Sequence, residues 1–150
     1  MDTTLTRSFM DACTSAKQIV NHLPPLPDWM TPRQVKVIDA LHQLQQTHDS
    51  IRISDVANYL QGTMPSITRM VTDLEAHAAL NKIPCHSDKR AHTLTLTAYG
   101  EELYSKYVEG FHSHVASLLD EITDEDMSTT ISVIERAWEL LQDDDFGKND

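Results

Sequence analysis

Apolar residues recur at spacings of three and four through Leu5, Phe9, Ala12, Ala16, Ile19 and Leu23, which predicts an amphipathic first helix. The proline-rich run from Leu23 to Pro27 ends it, because proline has no N–H to donate and disfavours helix in the residue before it. Thr31-Pro32-Arg33-Gln34 has the marks of a helix start: Thr31 as N-cap, Pro32 at the first helical position, and Gln34 to complete a capping box. Val35, Ile38 and Leu41 give this second helix a buried side that ends near Gln46. Polar Thr47-His48-Asp49-Ser50 turns the chain, and the alternation Ile51-Arg52-Ile53 predicts a short strand.

Ser54 is placed to cap a third helix, Asp55 to Leu60, and Gln61-Gly62-Thr63 forms a turn. A fourth helix runs from Met64 to His77, with Ile67, Met70, Val71 and Leu74 as its buried stripe and Ser66, Arg69, Thr72 and Asp73 outside. Leu80 to Cys85 and His92 to Leu96 read as the strands of a hairpin. Thr97 caps a long fifth helix whose stripe is Leu103, Tyr107, Phe111, Val115, Leu118 and Ile122. Thr123 caps a sixth, lined by Met127, Ile131, Ile134, Trp138 and Leu141. The fold class is therefore mainly α with a small β-hairpin wing: a helix-turn-helix followed by a hairpin, a winged helix, which mostly serves to hold DNA.

Composition narrows the class further. The chain has 150 residues, which suits one domain able to bury about two-thirds of its unfolded surface. No run of about 18 apolar residues occurs, so no membrane span or membrane partner is expected. No basic-then-apolar leader is visible, and the two cysteines, Cys13 and Cys85, are far apart. A reduced, cytoplasmic setting is expected from both facts.

The net charge of −11 runs against DNA binding, whose affinity comes largely from neutralised phosphates. Its distribution matters more. Residues 1–51 carry net −1, residues 52–97 net +1 and residues 98–150 net −11. The acidity lies in the last third, away from the winged helix.

A recognition helix needs one apolar face for its scaffold and short polar side chains at its leading end. The fourth helix offers Pro65, Ser66 and Thr68 there, with Arg69 able to grip guanine or a phosphate. Arg52 and Ser54 are candidates for the DNA backbone. The hairpin tip Ser87-Asp88-Lys89-Arg90 is polar and basic. Arg90 suits a narrow minor groove, Asp88 can fix its direction by bonding the loop backbone or Arg90 itself, and Lys89 and His86 would lie near phosphates.

In order along the chain these pieces resemble the MarR family of multiple-antibiotic-resistance regulators, from roughly Met30 to Tyr104 and more loosely throughout. The most specific part is Asp88-Lys89-Arg90 followed by Leu94-Thr95-Leu96-Thr97-Ala98-Tyr99-Gly100, which is similar to the family's wing motif. Ser66-Ile67-Thr68-Arg69 resembles the start of its recognition helix, and Met30-Thr31-Pro32-Arg33-Gln34 the start of its second helix.

The resemblance implies a transcriptional regulator, most often a repressor, that acts as a homodimer on a pseudo-palindromic DNA operator. The chain would be a single subunit over 1–150. Residues 31–97 would form the winged helix, residues 1–23 and 98–142 the dimerisation helices, and residues 143–150 an acidic tail. Long apolar stripes on the first, fifth and sixth helices support the dimer independently, since one subunit of this size can hardly cover them all. The resemblance also implies a small aromatic or phenolic effector between the dimer helices and the winged helix. Phe9, Met10, Trp29, Met30, Phe111 and His112 are the candidates to line its pocket. Two departures stand out. Ala78 replaces a glycine that usually ends the recognition helix, from which a slight extension of that helix is expected. Ile83 and Cys85 occupy wing positions that are often basic.

Other readings stay open. Some members of the family that the chain resembles sense peroxides through a cysteine on the first helix, but Cys13 sits nearer to the second helix than that cysteine does and no tyrosine occurs in the first 58 residues to assist it, so a buried structural thiol is expected instead. His112 and His114 point about 200° apart on a helix, which is poor for chelation, although His42 could join one of them across the core. Cys85, His86 and His92 form a looser cluster, and neither metal nor cofactor is expected. An adaptor that uses a winged helix for protein contacts fits the low positive charge. An enzyme does not fit: no Gly-rich phosphate loop, nucleophile elbow or metalloprotease motif occurs.

Overall fold

The capping box at Thr31 forms as its residues imply. Gln34 N–H donates to Thr31 Oγ1 (3.3 Å) and Thr31 N–H to Gln34 Oε1 (2.8 Å), which starts a helix at Pro32. The structure, a computed structural model, describes residues 1–88 and 90–145. The chain divides into two units, Met1–His112 and Ser113–Asp150.

The first unit holds α1 (Thr3–Val20), α2 (Pro32–Gln45), α3 (Ile53–Leu60), α4 (Met64–Ala76), the strands β1 (Leu80–Pro84) and β2 (His92–Leu96), and α5 (Ala98–Tyr104). A π-helical turn, Ser105–Glu109, follows α5 and leads into α6 (Gly110–Leu118), within which the division falls. The strands pair antiparallel with Leu80 opposite Leu96 and Pro84 opposite His92. The core is built around α2, where Val37, Ala40 and Leu41 are fully buried. Val56 from α3, Ile67, Val71 and Leu74 from α4, and Leu80 and Leu94 from the hairpin close on them, joined by Leu103, Tyr104, Tyr107 and Val108. Each such large aliphatic side chain contributes about 1.5–3 kcal/mol by leaving water.

The second unit contains α7 (Asp124–Leu141), capped by Thr123, whose Oγ1 accepts the Asp126 N–H at 3.1 Å. None of its helical residues is buried, and Ile131, Ile134, Trp138 and Leu141 are exposed. In the first unit α1 is likewise without a buried residue, and Leu5, Met10 and Ile19 are exposed. No helix among the described residues is long and apolar enough to cross a membrane.

Several expectations are corrected. Ile51-Arg52-Ile53 is not a strand. Only the Ile51 carbonyl pairs with the wing, accepting the Leu94 N–H at 2.8 Å, because helix begins at Ile53. The cap of α3 is Arg52, not Ser54: Asp55 Oδ2 accepts the Arg52 N–H (2.8 Å), so Ser54 falls inside the first turn. α1 stops at Val20, short of Leu23, and α4 at Ala76. The long helix after Thr97 passes through a π turn and ends at Leu118, with Leu119 and Ile122 closing a turn (2.9 Å) before Thr123. Ala78 takes the left-handed conformation itself (φ 57°) rather than extending α4.

Candidate nucleic-acid interface

The turn between α3 and α4 is set by two local devices. Gln61 ends α3 in the left-handed region (φ 51°), and Thr63 Oγ1 accepts the Ser66 N–H (3.4 Å) to cap α4. Ile67, Val71 and Leu74 then seat α4 on the core, and its first turn projects beyond. Pro65, Thr68 and Arg69 are exposed and Ser66 is half-buried.

The hydroxyls on this edge are already engaged. Thr68 Oγ1 donates to the Met64 carbonyl (2.7 Å), and Thr72 Oγ1 to that of Thr68 (2.9 Å). Ser66 Oγ accepts from Arg33 Nη2 at 3.4 Å. Arg33, on the first turn of α2, therefore reaches the leading end of α4. The sequence reading missed this contact because it spans 33 residues and depends on tertiary packing.

The wing tip is ordered by Asp88. Its Oδ1 accepts the Arg90 N–H (2.9 Å), and the Ala91 N–H donates to its carbonyl (3.1 Å). Of the two possibilities for Asp88, it is the loop backbone that the carboxylate holds, so Arg90's guanidinium stays available. Lys89 lies outside the described residues. Lys82 on β1 is drawn to Glu75 of α4 (3.6 Å), which spends one of the wing's few cations.

Between the wing and the helices lies a cleft of about 200 Å³ walled by Arg52, Ile53, Ser54, Met64, Arg90, Ala91 and His92. Three predicted residues, Arg52, Ser54 and Arg90, are thus brought together. Ile53, Met64, Ala91 and His92 were not predicted for it. Met64 follows the apolar stripe of α4 by spacing, and only the structure shows that the stripe outruns the core. His86 is exposed on the wing and does not line this cleft. Among the described residues, Arg33, Arg52, Arg69 and Arg90 are exposed and in no ion pair, so four guanidinium groups lie around the leading part of α4.

The other candidates are more dispersed. Met30 is buried in the core, and Trp29 stacks on His77 at the end of α4 (4.1 Å between ring centroids, 7° between planes). Phe111 and His112 are neighbours with rings 6.0 Å apart, Phe9 is half-buried and Met10 exposed. Cys13 and Cys85 are both free thiols of intermediate exposure, so Cys13 is not the fully buried thiol expected. His42 is engaged within the first unit, away from His112. Its Nδ1–H donates to Glu101 Oε2 (2.9 Å) and its ring stacks on Tyr104 (3.6 Å), because α2 packs on α5 there. Among the described residues no three His, Cys, Asp or Glu side chains converge to hold a metal ion.

No family model matches the sequence. The fold is nevertheless shared with solved structures over most of the chain. FabT of Streptococcus pneumoniae in complex with DNA matches with a TM-score of 0.70 at 16% identity, covering 95% of this chain and 99% of that one. The PcaV transcriptional regulator of Streptomyces coelicolor in complex with its natural ligand matches at 0.64 and 18%, covering 90% and 89%. The MepR–DNA complex of S. aureus matches at 0.65 and 21%, covering 75% and 80%. These structures are MarR-family regulators, and the fold of this chain, helical with a two-stranded wing, is theirs.

Proposed function

We propose that this protein is a DNA-binding transcriptional regulator, a cytoplasmic homodimer that represses from a pseudo-palindromic operator and is released by a small-molecule effector. The observation that carries this reading is the cleft beside the first turn of α4, where Arg52 and Arg90 from separate elements face one space next to an exposed helix end. A helix N-terminus and two guanidinium groups together favour phosphate. α4 would enter the major groove with Pro65, Ser66, Thr68 and Arg69. Arg90 would reach the minor groove, with His86 and Lys89 near phosphates.

The dimer is supported by the uncovered apolar stripes of α1 and α7, which a second copy of the chain would bury. FabT and MepR are named as DNA complexes and PcaV as a ligand complex, which supports DNA and a small molecule as partners here. For the effector, Phe9, Met10, Phe111 and His112 remain the candidates, with Trp29 able to move only by leaving His77.

Selection of bound fragments from the host genome, followed by salt titration of the best, tests the reading. A pseudo-palindrome bound with an affinity that falls steeply with salt is expected. The net charge of −11 favours one other reading, a winged-helix adaptor for proteins, and an absence of any enriched DNA at low salt would favour it instead.

A further inference from the structure

We propose that α4 reads thymine methyl groups in the major groove through Met64, Pro65 and Thr68. The inference rests on the DNA-binding reading above and adds the base chemistry that the helix recognises.

Most polar groups on the leading edge of α4 are already engaged within the protein. Further along the helix the apolar stripe is spent on the core: Ile67, Val71 and Leu74 are at most 1% accessible. Met64, one turn earlier on the same stripe, is 47% accessible and lies outside the buried core. Pro65 beside it is exposed and has no N–H to give. Thr68 has already donated its hydroxyl hydrogen to the Met64 carbonyl, and Thr72 has donated its own one turn further on. Each retains a methyl group and an acceptor lone pair. Ser66 is held by Arg33. Arg69 is the strong donor still free on this face, and α4 carries no asparagine or glutamine to pair with adenine.

A helix so equipped presents apolar atoms to base edges. In the major groove the apolar feature of a base pair is the thymine C5-methyl group. The position agrees, because Met64 also walls the cleft that holds Arg52 and Arg90. An apolar contact and a cationic space for phosphate therefore lie side by side, as a base edge and its backbone do.

The test uses the full-length protein and the operator recovered by genomic selection. Each thymine is replaced singly by deoxyuridine, which keeps every hydrogen-bonding group and removes only the methyl. At contacted positions wild type is expected to bind about fourfold more weakly, the transfer value of one buried methyl. Met64→Ala should bind the thymine and uracil operators equally at one such position. Thr68→Ser, which keeps the hydroxyl bond to Met64, should do so at another. Uracil operators bound as tightly as thymine operators at every position, or losses that persist unchanged in both variants, would overturn the inference and leave DNA binding standing. Selection of no DNA at all would overturn both.

Discussion

Thr97 donates its hydroxyl hydrogen to the Ala78 carbonyl at 2.6 Å while the same oxygen accepts the Gly100 N–H at 3.0 Å. One side chain thus caps α5 and clasps the residue that ends α4. The Thr97 N–H adds a bond to the Ala79 carbonyl (3.1 Å), and a Cβ on Gly100 would run into that same carbonyl oxygen. The Thr-x-x-Gly spacing is therefore a latch between the end of α4 and the start of α5. Thr97→Ala should cost about 1–2 kcal/mol through the lost cap. Gly100→Ala should cost about 1–3 kcal/mol or more, because backbone must shift. Chemical denaturation of both variants checks the order.

Ala78 is a non-glycine residue held at φ 57° and exposed. The left-handed conformation costs an L-residue roughly 1–2 kcal/mol, against which glycine loses about 0.5–1 kcal/mol of chain entropy. Ala78→Gly should therefore raise stability by roughly 0.5–1 kcal/mol, a gain of a few degrees in melting temperature. A lower melting temperature would show that the latch at Thr97 holds Ala78 there without strain.

The helices with a threonine cap were readable because their signals are local. Thr31, Thr97 and Thr123 each bond a backbone N–H three residues on, within reach of any sequence inspection. The conformation of Ala78 was not legible because Thr97, 19 residues away across the wing, bonds its carbonyl and that of Ala79. Arg52 displaced Ser54 as the cap for a related reason: the Ile51 carbonyl is tied to Leu94, so the chain enters helix two residues earlier. At the site, Arg52, Ser54 and Arg90 were nameable one by one from charge and polarity. Their meeting with Met64 and His92 was not, since that cleft is assembled from three separated segments. The engagement of Thr68 depends on a rotamer that residue type alone does not specify.

Tyr104 links stability to alkaline pH. Burial raises its phenol above the ordinary value, with the negative charges of Glu109, Asp39 and Glu101 adding to the effect and the hydrogen bond from Gln43 Nε2 opposing it. The folded state thus holds this proton more tightly than the unfolded chain does. Its contribution is complete below about pH 10 and is lost as pH rises through the folded value. Denaturation midpoints of wild type should fall as pH rises above about 10, and those of Tyr104→Phe should fall less. Equal slopes would remove Tyr104 from the account.

Arg52 and Arg90 line the same cleft, so their effects on DNA binding should not add. Each single change to alanine is expected to weaken operator binding and to lower the slope of log affinity against log salt by about one, the signature of a lost phosphate contact. The double variant should lose less than the product of the two. Full additivity would place the two side chains on separate phosphates, or Arg90 on a base edge alone.

The apolar face of α7 bears on the proposed dimer. Trp138 is 56% accessible, and Ile131, Ile134 and Leu141 around it are exposed as well. A lone chain that left such a stripe in water would be prone to associate nonspecifically, whereas a two-fold partner covers it once and closes. Trp138 is the largest of these side chains, and buried tryptophans dominate interface energy. Trp138→Asp should weaken the dimer by about 2 kcal/mol or more, roughly thirtyfold, while the first unit keeps its fold, since none of its core residues lies on α7. Sedimentation equilibrium gives the dissociation constant and far-ultraviolet circular dichroism the helix content. A monomeric wild type, or a dimer indifferent to the aspartate, would remove α7 from the interface and with it the reading of two half-sites.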